Sequence, residues 1–542
     1  MNERDAQGSN ADIPARLEAV LFDMDGVVTD TAQAHAAAWK RVFDEFLRAR
    51  ADAGGGEFRP FDLEREYREF VDGKPRYAGI RSFLRSRGID LPEGTPEDRP
   101  DAETVFGLGR RKQEYFRAWL KANRVRPYPG TLRVIHDLRK AGVKTAIFSS
   151  SRNAEDVLRN AGVLDLFDVK VDGNDLAALG LRGKPDPAML YEAASRLGVK
   201  PEHAAIVEDA IAGVEAGAHG GFALVIGVDR SGSGDVGDAL KQSGAHIVVG
   251  DLSELLVGKD RGITIKTTDR LQSIWDCEEK LRGRLSGRPL AVFLDYDGTL
   301  TPIVADYTKA FLADDMRAAI AKLAKSCKVA IVSGRDLRIV QKLVNLDTVF
   351  VAGSHGFEIA GPAGSSERLQ LGAEFLPELD EAERRLREKL SDIAGHSVER
   401  KRFSIAVHYR QASDEDIPRI EAVVDEVLSE YGGLRKGHGK KVFRIQPNLD
   451  WHKGRAVLWL LERFKRDDPD LLPIYVGDDI TDEDAFRALA GVGLTIVVRD
   501  HEQRRTAADY ALADTDEVRR FIDWLAAATA ETPDRRERAD ED

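Results

Sequence analysis

Two cysteines in 542 residues, Cys277 and Cys327, are too few and too far apart for a disulfide framework or a structural zinc site. Basic excess is also missing: Lys and Arg number 80 against 93 Asp and Glu, a formal net charge of -13. Nucleic-acid affinity rests on broad basic surface, so no nucleic-acid partner is expected, and any anionic substrate must be held by a local group of cations. Nor is there an apolar run that approaches a membrane span, and Met1 to Arg16 is polar and charged. The expectation is a soluble, cytoplasmic protein with no membrane partner. One hydrophobic core cannot serve a chain of this length, which suggests about three or four folding units.

What is present is one phrase, twice. Val292-Phe293-Leu294-Asp295-Tyr296-Asp297-Gly298-Thr299-Leu300-Thr301-Pro302 is an apolar run that reads as a buried strand, followed by two aspartates and a glycine turn. Val20-Leu21-Phe22-Asp23-Met24-Asp25-Gly26-Val27-Val28-Thr29-Asp30 repeats it. In an open parallel sheet, reactive groups gather outside the carboxyl ends of the strands, so each aspartate pair would share one crevice and one cation. A carboxylate held beside Mg2+ can attack phosphorus and form an aspartyl-phosphate, while its neighbour protonates the leaving alcohol and then activates water. An EF-hand loop is the competing reading of such a turn, but the third acidic position and the distal glutamate are lacking.

Each phrase is followed by matching parts. In the first half, strand Lys144 to Phe148 delivers Ser149-Ser150-Ser151-Arg152-Asn153, whose hydroxyls and N–H groups suit phosphate oxygens. Lys184 follows as a fixed cation, and strand Ala204 to Val207 ends in Glu208-Asp209, further oxygen ligands for Mg2+. In the second half come Ser333-Gly334-Arg335, then Lys453, then a strand to Val476 with Gly477-Asp478-Asp479. The long gap lies between Asp25 and Ser149 in the first half and between Ser333 and Lys453 in the second. The insert has therefore changed places.

The inserts also differ in kind. From Thr31 the first is helical, with Thr31, His35 and Trp39 on one face, and it spans about 32–127. The second alternates with period two at Phe403 to Arg410 and Val442 to Gln446, with helical patterns at Glu378 to Ile393 and Asp416 to Leu428, an α/β lid over about 357–447. The expected division is a mobile tail at 1–16, a first domain at 17–258, a linker at 259–288 that reads as helical from Leu271 to Leu285, a second domain at 289–530 and a charged tail at 531–542.

Four elements, in order and twice over, resemble the haloacid dehalogenase superfamily of phosphatases and phosphomutases. The fold class implied is α/β, two Rossmann-like cores. The resemblance implies nucleophile, acid/base, phosphate-holding and Mg2+ roles for Asp23, Asp25, Ser149, Lys184, Glu208 and Asp209, and again for Asp295, Asp297, Ser333, Lys453, Asp478 and Asp479. The second half resembles trehalose-6-phosphate phosphatases through Leu294 to Pro302, Ser333-Gly334-Arg335, Gly353-Ser354-His355-Gly356-Phe357-Glu358, Val407-His408-Tyr409-Arg410 and Gly477 to Phe486. That implies a sugar phosphate, trehalose 6-phosphate, as the partner molecule, with Arg335, His355, His408 and Lys440 binding it. One departure is that Arg444 stands where that family's lid strand usually carries an acidic residue. The first half resembles β-phosphoglucomutase through Phe22 to Thr31, His35, Trp39, Gly73-Lys74-Pro75-Arg76 and Ser149 to Asn153. This implies that His35, Trp39, Arg76, Ser151, Arg152 and Asn153 bind substrate and that Lys112 is a further lid lysine. Mutase, phosphatase and regulatory sugar-phosphate-binding readings of this half all remain open, because lid closure against water separates the first two. Oligomeric state is not read from the sequence.

Overall fold

The computed structural model describes residues 16–63, 65–71, 76–231, 234–304, 309–439, 441–500 and 502–530. The two expected tails, apart from Arg16, lie outside them. So does Lys440. The chain divides into two compact units, Met1–Thr264 and Ile265–Asp542. Among the described residues no helix is long and apolar enough to cross a membrane.

The first unit is built on six strands: β1 (Ala19–Asp23), β2 (Lys144–Phe148), β3 (Val169–Val171), β4 (Ala204–Glu208), β5 (Leu224–Val228) and β6 (Ile247–Val249), in the order β3-β2-β1-β4-β5-β6. All pairs are parallel. The near-continuous apolar runs follow from this, because helices cover both faces of a parallel sheet. β1 is buried along its whole length. Its helical insert leaves and re-enters the core through an antiparallel ribbon pairing Thr29 with Pro127 and Asp30 with Arg126. Its main helices are α1 (Ala32–Asp52), α2 (Arg76–Ser86) and α3 (Val105–Ala122). Trp39, Phe43, Phe46, Phe61, Ile80, Phe83 and Leu108 form a core of the cap's own, each large side chain contributing about 1.5–3 kcal/mol by burial.

The second unit has an eight-stranded sheet of β7 (Leu290–Leu294), β8 (Lys328–Val332), β9 (Phe350–Gly353), β10 (Glu358–Ala360), β11 (Arg368–Gln370), β16 (Leu472–Gly477), β17 (Leu494–Val498) and β18 (Tyr510–Leu512), ordered β11-β10-β9-β8-β7-β16-β17-β18. Its cap sheet, β12 (Ser397–Lys401), β13 (Ser404–His408), β14 (Leu434–Gly439) and β15 (Val442–Pro447), is antiparallel in the order β12-β13-β15-β14. Val292 and Leu294 of β7 point into one apolar layer, and Ala291 and Phe293 into the other, as the two-residue strand period requires.

Two expected limits shift. The insert was placed from about residue 357, but β10 and β11 continue the core sheet as antiparallel strands. Gly356, at φ 91°, turns the chain back to make this pairing. The stretch 259–288 was read as a linker, yet Ile274, Leu281 and Leu285 are buried in the second unit's core, the last two on helix α4 (Glu278–Leu285).

Candidate active sites

In the first unit β1 ends at Asp23, and β4 beside it ends at Glu208. Lys184 reaches both: its Nζ donates to Asp23 Oδ1 at 2.8 Å and also to Glu208. Burial opposes the lysine's charge, but Asp23 and Glu208 outweigh it and hold its pKa raised. Asp23 is pushed well above the usual carboxylate range by burial, with Lys184 pulling it down and Glu208, Asp209 and Asp25 pushing it further up. Burial and Glu208 raise Asp209 to about 8. Oxygens of Asp23, Glu208 and Asp209 lie within 4.8 Å of one another. Gly26, at φ 78°, makes the approach possible, since a Cβ there would stand 1.8 Å from Asp209 Oδ2.

The second unit repeats the pattern. Lys453 begins α7 (Lys453–Asp467), and its Nζ donates to Asp295 Oδ1 and Asp482 Oδ1, both at 2.6 Å. Burial drives the Asp295 pKa well up, with Lys453 opposing and Asp482 and Asp478 adding to the rise. Asp478 is raised to about 7 by burial and Asp482. Oxygens of Asp295, Asp478 and Asp482 come within 4.8 Å of one another. Thr299 donates to Asp478 Oδ1 at 3.1 Å, and the buried Tyr475 hydroxyl donates to Asp482 Oδ1 at 2.6 Å. Buried carboxylates this close repel one another, and a divalent cation would relieve the repulsion. The oxygen donor sets therefore fit a hard metal ion.

This geometry corrects the expected ligand sets. Asp479 was expected beside Asp478; it is exposed and caps a turn instead, while Asp482, fully buried, completes the group. Asp297 was expected to share a cation with Asp295, but its two oxygens accept from Arg335 Nε at 2.7 Å and Nη2 at 2.5 Å. Asp25 was likewise paired with Asp23 as a ligand; its Oδ1 accepts from the Thr31 hydroxyl, and burial raises its pKa. Neither second aspartate belongs to its unit's carboxylate trio.

The serines stand at the ends of β2 and β8, both buried. Ser149 Oγ accepts from the N–H of Ser151 at 3.1 Å, and Ser333 Oγ from that of Arg335 at 3.2 Å. Ser151 Oγ in turn accepts from Asn153 N–H at 3.2 Å, whereas Arg152 is exposed. From the first cap, Arg76 donates to Gln113, and Gln113 Nε2 donates to Asn153 Oδ1 at 2.6 Å, tying the cap to the loop after β2. Lys112 Nζ lies 2.8 Å from His35 Nδ1 and 5.1 Å from the Trp39 ring. Burial, reinforced by Arg76, lowers Lys112 to about 7 and His35 well below its usual value. Trp39, expected to bind substrate, is instead 5% exposed and stacked on Phe43 in the cap core.

In the second unit His355 packs against Gly334. His355 and Ser354 hold φ of 57° and 50°, a backbone strain kept by the surrounding contacts. Burial, then Arg444, Lys453 and Lys401, lower the His355 pKa well below normal. His408 Nε2 lies 3.0 Å from Glu399 Oε2. Sequence reasoning missed Asp482, Gln113 and Glu399. Asp482 had a signal, one acid among several behind a strand-end glycine; Gln113 and Glu399 had none.

Two carboxylate sites at the ends of parallel strands, each with its lysine and serine, define a tandem pair of haloacid dehalogenase-like cores. A family profile described as Trehalose-phosphatase matches residues 293–516, and one described as haloacid dehalogenase-like hydrolase matches residues 17–221. A protein named Trehalose-phosphate phosphatase from Mycobacterium tuberculosis is 41% identical over 344 residues, 63% of this chain and 86% of that one. By this likeness the chain belongs to the trehalose-phosphatase family. It is also 40% identical over 514 residues, 94% of its length, to an "Uncharacterized glycosyl hydrolase" of the same species, but spans only 38% of that protein. Among solved structures, a putative beta-phosphoglucomutase from Thermotoga maritima is 28% identical, covers 44% of this chain and 96% of its own, and has a TM-score of 0.34.

Proposed function

We propose that the second unit is a Mg2+-dependent phosphatase of trehalose 6-phosphate, releasing trehalose and inorganic phosphate. The observation that carries this is the Asp295 carboxylate at the strand end, fixed by Lys453 beside Asp478 and Asp482. Trehalose-phosphate phosphatases among the relatives point to the same substrate. Bound at these carboxylates, Mg2+ would neutralise the phosphoryl oxygens and make phosphorus more electrophilic. Asp295 attacks phosphorus, and the bond to the sugar oxygen breaks with its electron pair on that oxygen. Asp297 gives this oxygen a proton, then takes one from the water that cleaves the Asp295 aspartyl-phosphate. Lys453 and the Ser333 hydroxyl hold the transferring group, and Arg335 positions Asp297 through its two-point contact.

In the first unit, Arg76 on the cap is joined through Gln113 to Asn153 of the core, and the cap's Lys112 is drawn by the charge of Asp25, an arrangement suited to a sugar carrying phosphate at either end. This favours a β-phosphoglucomutase-type activity there, with Asp23 as the phosphoryl carrier and Asp25 as acid and base. The test is phosphate release from trehalose 6-phosphate with Mg2+ by the full chain, its D295N variant, and D23N/D295N. Release that survives D295N in the D23N background removes Asp295 as the nucleophile. Glucose 6-phosphate formed from β-glucose 1-phosphate and a bisphosphate primer by D295N, but not by D23N/D295N, supports the mutase reading; its absence from both removes that reading.

A further inference from the structure

One face of the second unit's cap sheet is committed to the cap's own core, where Val398, Ile405, Val407, Phe443 and Ile445 are buried with side chains of α5 (Leu376–Lys389) and α6 (Ile417–Leu428). By the two-residue period, Glu399, Lys401, Ala406, His408, Arg444 and Gln446 belong to the other face. Charge coupling places that face over the catalytic end of the core: Arg335 acts on Glu399, and Arg444, Lys453 and Lys401 act on His355.

The cations around this space are matched to acceptors. Lys453 holds Asp295 and Asp482, Arg335 holds Asp297, Arg402 holds Glu358, and Lys401 lies 3.9 Å from Glu399. Arg444 has no hydrogen bond or ion pair among the described residues. Its neighbours in register are Ala406 on β13 and Gly437 on β14. Neither neighbour carries a side chain beyond a methyl group, so neither can pair with the guanidinium. The carboxylate of the exposed Asp479 attracts it from the core side, without contact. A half-buried guanidinium whose attracting carboxylate makes no contact with it is a costly arrangement unless a ligand supplies a closer counter-charge.

We infer that Arg444 is a second anion subsite of the second unit, and that the preferred substrate there carries a carboxylate or a further phosphate in addition to the phosphoryl group transferred to Asp295. This rests on the phosphatase chemistry proposed above and departs from that reading on the preferred substrate. Both anions match the guanidinium fork through two parallel hydrogen bonds. Trehalose 6-phosphate, whose second ring is neutral, leaves that fork unmatched.

The test uses the full chain carrying D23N, so that release reports the second unit alone. Compared are kcat/KM for trehalose 6-phosphate and glucose 6-phosphate with those for 6-phosphogluconate, the carboxylate arm, and glucose 1,6-bisphosphate, the phosphate arm. The expected result is about a tenfold or greater preference for at least one doubly anionic compound over glucose 6-phosphate. That ratio should fall toward one in R444Q and be partly kept in R444K. A preference for the neutral-tailed compounds, or a ratio that R444Q leaves unchanged, overturns the inference. Binding separates this from the reaction itself. Calorimetry on D23N/D295N should give about tenfold tighter binding of the doubly anionic compound than of glucose 6-phosphate, lost with R444Q; equal affinities overturn the subsite. Absence of release from every compound would remove the phosphatase reading while the binding comparison still decides on Arg444.

Discussion

In the first unit the buried lysine, Lys184, is braced by Glu208, the last residue of β4; in the second Lys453 is braced by Asp482, which lies beyond the end of β16. The strand registers make the two ends equivalent: Phe22 pairs with Val207 and Leu294 with Val476, so Glu208 and Gly477 occupy the same place beside Asp23 and Asp295. Glycine and acid have traded positions. Gly213, five residues after Glu208, leaves room for that side chain, since a Cβ there would stand 1.8 Å from Glu208 Oε1. Gly477, five residues before Asp482, does the reverse, with a Cβ 2.4 Å from Asp482 Cγ. A site of this kind conserves the place of a carboxylate in space, and the backbone position that supplies it is free to move.

The largest effect should come from the residue that did not move. D295N in a D23N background removes the proposed nucleophile, and phosphate release from sugar phosphates should drop by about 10³-fold or more. If D23N alone already abolished release, the two units would not be independent catalysts. A rapid phosphate assay on the three proteins decides it.

The traded carboxylate gives the next test. D482G strips the buried Lys453 and Tyr475 of a partner and frees the N–H groups of Asp478 and Asp479, so it should cost about 3–5 kcal/mol. G477E alone should also destabilise, by driving a side chain into Asp482. The double variant imports the first unit's solution into the second, and should recover about 0.5–3 kcal/mol relative to the sum of the single losses. Urea unfolding of all four proteins measures this, and strict additivity would show that the two arrangements are not interchangeable.

The second aspartates differ more quietly. Asp297 is gripped by the Arg335 guanidinium at two points, whereas Asp25 is held by a neutral hydroxyl. R335Q should therefore slow the second unit by about 10–100-fold, and T31V should slow the first by less than about tenfold. The prediction concerns kcat, because the carboxylate's position is what changes. A purely KM effect of R335Q would assign Arg335 to substrate binding instead.

The strands β1 and β7 and their aspartates were legible in the sequence because a fully buried parallel strand must be a continuous apolar run, and the residue after it must leave the sheet. The exchange of insert positions was legible too, from the order of Ser149, Lys184, Ser333 and Lys453. The partner of each carboxylate was not. Asp482 and Asp479 read alike in an acidic run, and only the space above Gly477 distinguishes them. Asp297 and Arg335 lie 38 residues apart, and nothing local marks them as a pair. The start of the second insert was misplaced for a similar reason. Ile359 announces a strand, but hydrophobic alternation does not say which sheet the strand joins.

The smallest expected effect is a fraction of a proton, and it belongs to the first unit. Lys112 is buried among Trp39, Phe116 and the neutral His35, with Arg76 adding like charge and Asp25 opposing, so its pKa falls to about 7. A base whose folded pKa lies below its unfolded value takes up fewer protons when folded, so stability should rise with pH between about 7 and 10.5. An anion entering that space supplies the missing counter-charge and raises the lysine's pKa again. Binding of a sugar phosphate near pH 7.5 should thus draw in up to about one proton. Calorimetry in two buffers of different ionisation enthalpy reads that uptake directly, on D23N/D295N so that no turnover intrudes. K112M should abolish it while any uptake at the second unit persists. Uptake unchanged by K112M would move the titrating group to the carboxylates, where a bound metal rather than the cap would set the charge.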